Sequence, residues 1–122
     1  MKLNYSDIYV TIATRKLDAV VEFYTKFLRQ EPTVYRSQVY AEFQLEKLRI
    51  AIFQPKSERQ AEFDNHGSAL SFCLEVEDLA KAIACLSDLG YPPPGKVITA
   101  SHGKEIYGYD PAGNRLILHQ SN

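Results

Sequence analysis

The apolar positions of the chain fall into two copies of one order: a strand, a helix, then three strands. In the first copy a strand over residues 8–13 precedes Leu17, Val20, Val21, Tyr24, Phe27 and Leu28. Their spacing puts all six on one stripe of a helix. That helix must end before Pro32, because proline disfavours helical backbone in the residue ahead of it. Strands follow near 33–36, over 39–45 and over 48–53, and Glu46-Lys47 makes a tight turn between the last two. In the second copy a strand over 69–76 precedes Leu79, Ala82, Ile83, Leu86 and Leu89, again one helical stripe. Asp78 suits its N-cap and Gly90 its left-handed end. Strands over 96–99, 105–109 and 115–119 complete the copy, and Asp110-Pro111-Ala112-Gly113-Asn114 has the residues of a closed turn.

Leu17 and Leu79 stand 62 positions apart, and Leu28 and Leu89 stand 61 apart. A repeated element order at a nearly fixed offset predicts an internal duplication of a βαβββ unit. Module one covers about 5–54 and module two about 68–120. The polar stretch between them, about 55–67, reads as a surface connection, long enough to fold over something or to move.

Side chains alternate across a strand, so each strand splits into two rows. Ile8, Val10 and Ile12, then Leu48, Ile50 and Ile52, then Leu70, Phe72 and Leu74, then Leu116 and Leu118 form purely apolar rows. These rows must pack on the helices. The opposite rows mix small, polar, aromatic and charged residues: Tyr9, Thr11 and Ala13; Arg49, Ala51 and Phe53; Ala69, Ser71 and Cys73; Arg115, Ile117 and His119. Solvated sheet faces carry more Lys, Glu and Thr than this, so the mixed rows are read as lining a ligand cavity.

Composition narrows the partners. The 122 residues suffice for one domain, and 45% apolar with 24% charged content is ordinary globular usage. Fourteen Lys and Arg against fifteen Asp and Glu give a net charge of −1, which offers no footprint for nucleic acid or an anionic membrane. There is no run of about 20 apolar residues and no signal-peptide pattern, so the expectation is a cytoplasmic protein with no membrane partner. Cys73 and Cys85 form no CxxC pair and are expected to be free, inert thiols.

The chain has no glycine-rich phosphate loop, GxSxG elbow or HExxH helix. Candidate chemistry lies on the mixed rows. His119 is a weak catalytic candidate, with Glu105 and Tyr107, which alternate onto one face with Tyr109. Arg49 and Arg115 need anionic partners, from Glu42, Glu105 or a ligand carboxylate or phosphate. Tyr40, Glu42 and Gln44 are read as pointing the same way from a central strand. His66-Gly67 and His102-Gly103 read as exposed turn residues.

Several motifs resemble the vicinal-oxygen-chelate superfamily, which includes glyoxalase I, fosfomycin- and bleomycin-resistance proteins and extradiol dioxygenases. They are Phe23-Tyr24 with Phe27-Leu28, then Val76-Glu77-Asp78-Leu79, then Leu89-Gly90-Tyr91, and above all Tyr109-Asp110-Pro111-Ala112-Gly113-Asn114-Arg115-Leu116. Arg29 departs from the pattern, standing where a Gly usually follows the Leu. The resemblance implies an α+β fold of two tandem βαβββ modules, with curled mixed sheets, helices on the outer face and a shared site. It also implies a homodimer, and a pocket contact for Tyr107.

Metal-dependent members place ligands at four inward positions, which fall here on Tyr9, Ala51, Ala69 and Ile117. Alanine and isoleucine offer no lone pair, so the expectation is a chain with no metal and no cofactor. The ligand contacts implied are Tyr9, Thr11, Arg49, Ala51, Ala69, Ser71, Tyr107, Arg115, Ile117 and His119. Three functions stay open: a metal-free binder of a small organic molecule, like the resistance proteins; a lyase, isomerase or dioxygenase-like enzyme using a displaced metal site or acid–base work by His119, Tyr107 and Glu105; and a protein-interaction module with a vestigial pocket.

Overall fold

The computed structural model describes residues 3–4, 6–64 and 67–122, and its strands form two four-stranded mixed sheets. In the first, β1 (Val10–Ala13), β2 (Val34–Arg36), β3 (Tyr40–Gln44) and β4 (Arg49–Phe53) lie in the order β1-β4-β3-β2. β4 runs parallel to β1 and antiparallel to β3. A parallel neighbour needs a crossover, which starts here with α1 (Leu17–Leu28). A 3₁₀ turn at Ser57–Arg59 then leads into a short α2 (Gln60–Phe63).

The second copy repeats the plan with β5 (Phe72–Glu75), α3 (Leu79–Asp88), β6 (Ile98–Ala100), β7 (Gly103–Tyr109) and β8 (Arg115–Ser121), in the order β5-β8-β7-β6. The fold is therefore α+β, built from two tandem βαβββ modules. The chain divides into two compact units, Met1–Thr25 with Arg29–Phe63, and Lys26–Leu28 with Asp64–Asn122.

The apolar rows meet the helices. In the first unit Ile12, Ala41, Phe43, Ile50 and Ile52 are buried, as are Leu17, Val20, Val21, Phe23 and Tyr24 of α1. The Tyr24 ring meets Phe43 edge-on at 6.4 Å between centroids. In the second unit Ile106, Leu116 and Leu118 are buried, with Leu79 and Leu86 of α3. α3 lies so close to β7 that a Cβ on Gly108 would stand 2.7 Å from Leu86 Cδ1.

Both modules use the same joints. The Thr14 N–H donates to Phe53 O (3.0 Å), and the Val76 N–H donates to His119 O (2.8 Å). The first N–H of each long helix is taken by a glutamine of the last-strand segment: Leu17 by Gln54 Oε1 (3.4 Å) and Leu79 by Gln120 Oε1 (2.7 Å). Otherwise those donors would lack an intrahelical partner. Asp78 also caps α3 as expected, accepting from the Lys81 N–H at 3.1 Å. Both helices end in the same motif, with the Gln30 N–H on Thr25 O (3.2 Å) and the Tyr91 N–H on Leu86 O (2.9 Å). The left-handed residue is Gly90 (φ 93) in one and Arg29 (φ 54) in the other.

Three sequence expectations need correction. β1 begins at Val10 and β5 at Phe72, later than the alternation suggests. Both are edge strands, and their ladders start at Val10↔Ile50 and Phe72↔Leu116. Ile8 and Leu70 therefore do not join the packed rows and are 82% and 83% exposed. Tyr9, Ala69 and Ser71 precede their strands rather than lying in them. The connection is also more than a polar surface loop. Pro55 is buried, and Phe63 of α2 packs edge-on against Phe53 at 5.2 Å, covering that end of the first mixed row.

The β7–β8 turn is closed by a buried carboxylate. Asp110 accepts from the N–H groups of Ala112 and Asn114, both at 2.9 Å, and from Asn114 Nδ2 at 2.8 Å. Gly113 (φ 86) takes the left-handed position in that turn. A second carboxylate, Asp18 in the first turn of α1, binds the β2–β3 hairpin. It accepts from the Tyr35 hydroxyl (2.7 Å), the Ser37 hydroxyl (2.7 Å) and the Gln38 N–H (3.1 Å). The Tyr35 bond first, then Ser37, holds its carboxyl below the ordinary 3.8, against a smaller opposing push from burial.

Three outcomes follow. Arg29→Gly should stabilise the chain by about 0.5–1 kcal/mol in urea unfolding, since only the Cβ makes the left-handed end costly. Asp110→Ala should destabilise by roughly 1.5–3 kcal/mol in the same assay, because two backbone donors lose a charged acceptor. Asp18 has its folded pKa below its unfolded one, so its contribution is fully present above pH 3.8 and lost as pH falls through the lower folded value. Wild type should exceed Asp18→Asn in stability near pH 6, and the gap should close on acidification.

Candidate functional site

The β7–β8 ladder runs from Gly103↔Ser121 to Tyr109↔Arg115, two positions beyond the sequence expectation on each strand. This extension decides what meets at its end. It brings the Ser101-His102 turn, between Ala100 and Gly103, beside the last residues of β8. Gly103 (φ 149) is a requirement of that approach, because a Cβ there would lie 2.2 Å from Gln120 O and 3.1 Å from His119 Nε2. Asn122 Nδ2 donates to Ser101 O at 2.7 Å and ties the turn down.

Register then aligns three side chains across the sheet. Glu75 of β5 and Glu105 of β7 are both direct partners of His119 on β8. His119 is 7% exposed. Its Nδ1 is hydrogen-bonded to Glu75 Oε1, and the Ser121 hydroxyl donates to Glu75 Oε2 at 3.0 Å. An ionised carboxylate only accepts, so Nδ1 carries a proton, and the neutral form of the ring has its lone pair at Nε2. That Nε2 is buried with no hydrogen-bond partner among the described residues. The His102 ring stacks on His119 at 5.0 Å with 14° between planes, and His102 Nε2 lies 3.9 Å from Glu105 Oε1. One donor atom from each of His102, Glu105 and His119 lies within 4.8 Å of the others. Two imidazoles and a carboxylate can act as proton acceptors or as ligands for a divalent transition metal.

The sequence groups Glu105 and His119 as acid–base candidates with Tyr107, but reads His102 as a water-facing turn residue. His102 is exposed, yet its turn stands over His119. The missed signal was the glycine after it, which lets β7 begin two residues earlier. Cys73, on the same face of β5, is exposed, and partial desolvation, then the Glu75 and Glu105 charges, push its thiol up, so it stays protonated. His66 lies outside the described residues.

In the first unit the mixed row is neutralised internally. Arg49 is ion-paired with Asp7, stands 3.7 Å from Glu42 Oε1 and lies over the Tyr9 ring, 4.1 Å from its centroid. Burial, then the Glu42 charge, pushes the Tyr40 hydroxyl up. The anionic partner that Arg49 requires is therefore the chain's own. Thr11 is exposed, and Ala51 is buried between Thr11 and Glu42 on the neighbouring strands. In the second unit Tyr107 (39% exposed) pairs with Ile117, next to Cys73. Arg115 Nη1 donates to Ser68 O (2.8 Å) and Ser71 Oγ (3.0 Å), bracing the segment ahead of β5 beside Ala69.

The four residues to which the resemblance assigns metal-ligand positions, Tyr9, Ala51, Ala69 and Ile117, do not make a donor set for a metal. Ala51 and Ala69 have no donor, Ile117 is hydrocarbon, and Tyr9 faces the Arg49 cation. Among the described residues no helix is long and apolar enough to cross a membrane.

The chain is similar throughout to solved structures. A glyoxalase/bleomycin resistance protein from Catenulispora acidiphila shares 23% identity over 95% of this chain and 98% of its own, with a TM-score of 0.67. A genomically encoded fosfomycin resistance protein from Listeria monocytogenes shares 15% over 98% and 96%, with a TM-score of 0.76. A lactoylglutathione lyase from Agrobacterium tumefaciens shares 18% over 98% and 96%, with a TM-score of 0.68. No curated protein matches the chain. Residues 8–118, nearly the whole of both modules, match one family, and the chain belongs to the Glyoxalase/Bleomycin resistance protein/Dioxygenase superfamily.

Proposed function

We propose that this chain binds a small organic molecule on the mixed sheet faces, with no metal at Tyr9, Ala51, Ala69 or Ile117. The observation that carries the reading is the accessible, weakly charged row of the second sheet. Ser71, Cys73 and Tyr107 are exposed, and the half-buried Ile117 lies among them. An aromatic, a thiol, a hydroxyl and an aliphatic side chain suit a ligand with apolar rings and few polar groups. A cytoplasmic homodimer belongs to the same proposal, supported by Ile8 and Leu70, which are more than four-fifths exposed.

One observation favours the enzymatic alternative: His119, whose buried Nε2 has no hydrogen-bond partner among the described residues, is gathered with His102 and Glu105. That constellation is more than a passive binding surface requires.

Binding of the fluorescent aromatic sulfonate ANS tests the first reading. Wild type should bind it saturably, and Tyr107→Ala should weaken binding severalfold while changing stability by less than about 1 kcal/mol, its side chain being partly exposed. Equal binding by wild type and variant would remove the second sheet from the site. Sedimentation should show a dimer at tens of micromolar, and a monomer there would overturn that part.

A further inference from the structure

We propose that His102, Glu105 and His119 hold a divalent transition metal ion at the end of the second sheet, with Glu75 as the positioning carboxylate behind His119. The site lies wholly within the second unit and stands or falls independently of the small-molecule reading.

Four observations converge. First, the donor set is two imidazoles and one carboxylate, a combination that binds zinc or ferrous ion and leaves coordination positions open. Second, His119 is more than nine-tenths buried, and its Nε2 has no hydrogen-bond partner among the described residues. A buried polar nitrogen without a partner is costly, and a metal ion would satisfy it. Third, the bond from Nδ1 to Glu75 leaves the lone pair on that same Nε2. Carboxylate–histidine–metal relays of this kind orient ligating imidazoles and raise their basicity. Glu75 is itself held by the Ser121 hydroxyl. Fourth, the donors come within reach of one ion once the exposed His102 ring, now stacked on His119, turns its lone pair toward it. Tetrahedral zinc with bonds of about 2.1 Å sets its ligand atoms about 3.4 Å apart. The atoms here already lie within 4.8 Å, and His102 and Glu105 are 3.9 Å apart. His119 is fixed in a paired strand, whereas the His102 side chain is 65% exposed on a turn and free to close the gap.

The site differs from the four positions lost to Tyr9, Ala51, Ala69 and Ile117. It is one row further along β8, and all three ligands come from one β-hairpin and its neighbour strand. Three protein ligands leave a position for water or for an oxygen of a bound molecule.

Zinc titration of the untagged chain against a chromophoric chelator tests this, with cobalt(II) absorption as a second readout. Wild type should take up one ion per chain and show the intense visible bands of low-coordinate cobalt. His102→Ala and Glu105→Gln should each weaken zinc binding at least about tenfold and abolish those bands. His102 is exposed, so its variant should fold whatever becomes of His119→Ala. Glu75→Gln should weaken binding by about 10–100-fold, as loss of such a relay does elsewhere. Cys73→Ser should bind as wild type does. Failure of wild type to bind one zinc overturns the site. So does undiminished binding in either His102→Ala or Glu105→Gln, or binding that depends on Cys73 instead.

Discussion

Each module depends on where its last strand sits. β4 and β8 pair in parallel with the first strand of their module and antiparallel with the strand just before them. Their segments also reach up to hold the helix, through Gln54 to the Leu17 N–H and Gln120 to the Leu79 N–H. First strand, crossover helix and hairpin are thus indexed to one element. Once its register is set, every side chain of the sheet is assigned to the helix or to the opposite face.

The two modules show what the same scaffold can carry. Matching joints make Phe53 the counterpart of His119, since their carbonyls accept from Thr14 and Val76 respectively. The line across the first sheet is Ala13, Phe53 and Tyr40, and across the second it is Glu75, His119 and Glu105. In the first, the aromatic residue is capped by Phe63 and the nearby Arg49 is neutralised by the chain's own carboxylates. In the second, a titratable line is centred on His119, whose Nε2 has no hydrogen-bond partner among the described residues. The first sheet uses its mixed row for packing and charge balance, and the second leaves reactive groups in place.

Much of this was readable without coordinates, because the period of a strand is two and that of a helix near 3.6. Those periods separated Ile50 and Ile52 from Arg49 and Ala51, and placed Glu105, Tyr107 and Tyr109 together. The cap at Asp78 and the left-handed Gly90 follow from residue chemistry alone. Arg29, conspicuous as a departure from the superfamily pattern, indeed occupies a left-handed position. Strand ends were less legible, because an edge strand stops where its neighbour stops. Alternation continues through Ile8 and Leu70 although pairing does not. The site was least legible. His102 reaches His119 only because Gly103 extends the β7 ladder to Ser121, and ladder register is a property of two strands, not of either one.

The scarcity of donor atoms at Tyr9, Ala51, Ala69 and Ile117 and the gathering of donors around His119 bear on each other. Ile117 and His119 share a face, two residues apart on β8, or about 7 Å along the strand. A metal at the His119 site would therefore approach a molecule lying over Tyr107 and Ile117 from its end rather than from beneath it. The side chains under that molecule are an aromatic, an aliphatic and a thiol, which contribute shape and apolar contact. The groups able to move protons or polarise an oxygen are collected at one border. Under these two proposals binding and chemistry fall on adjacent rows of the same sheet, and each could change by substitution without disturbing the other. A scaffold with that separation can lose its usual metal positions and still keep the means to act on what it binds.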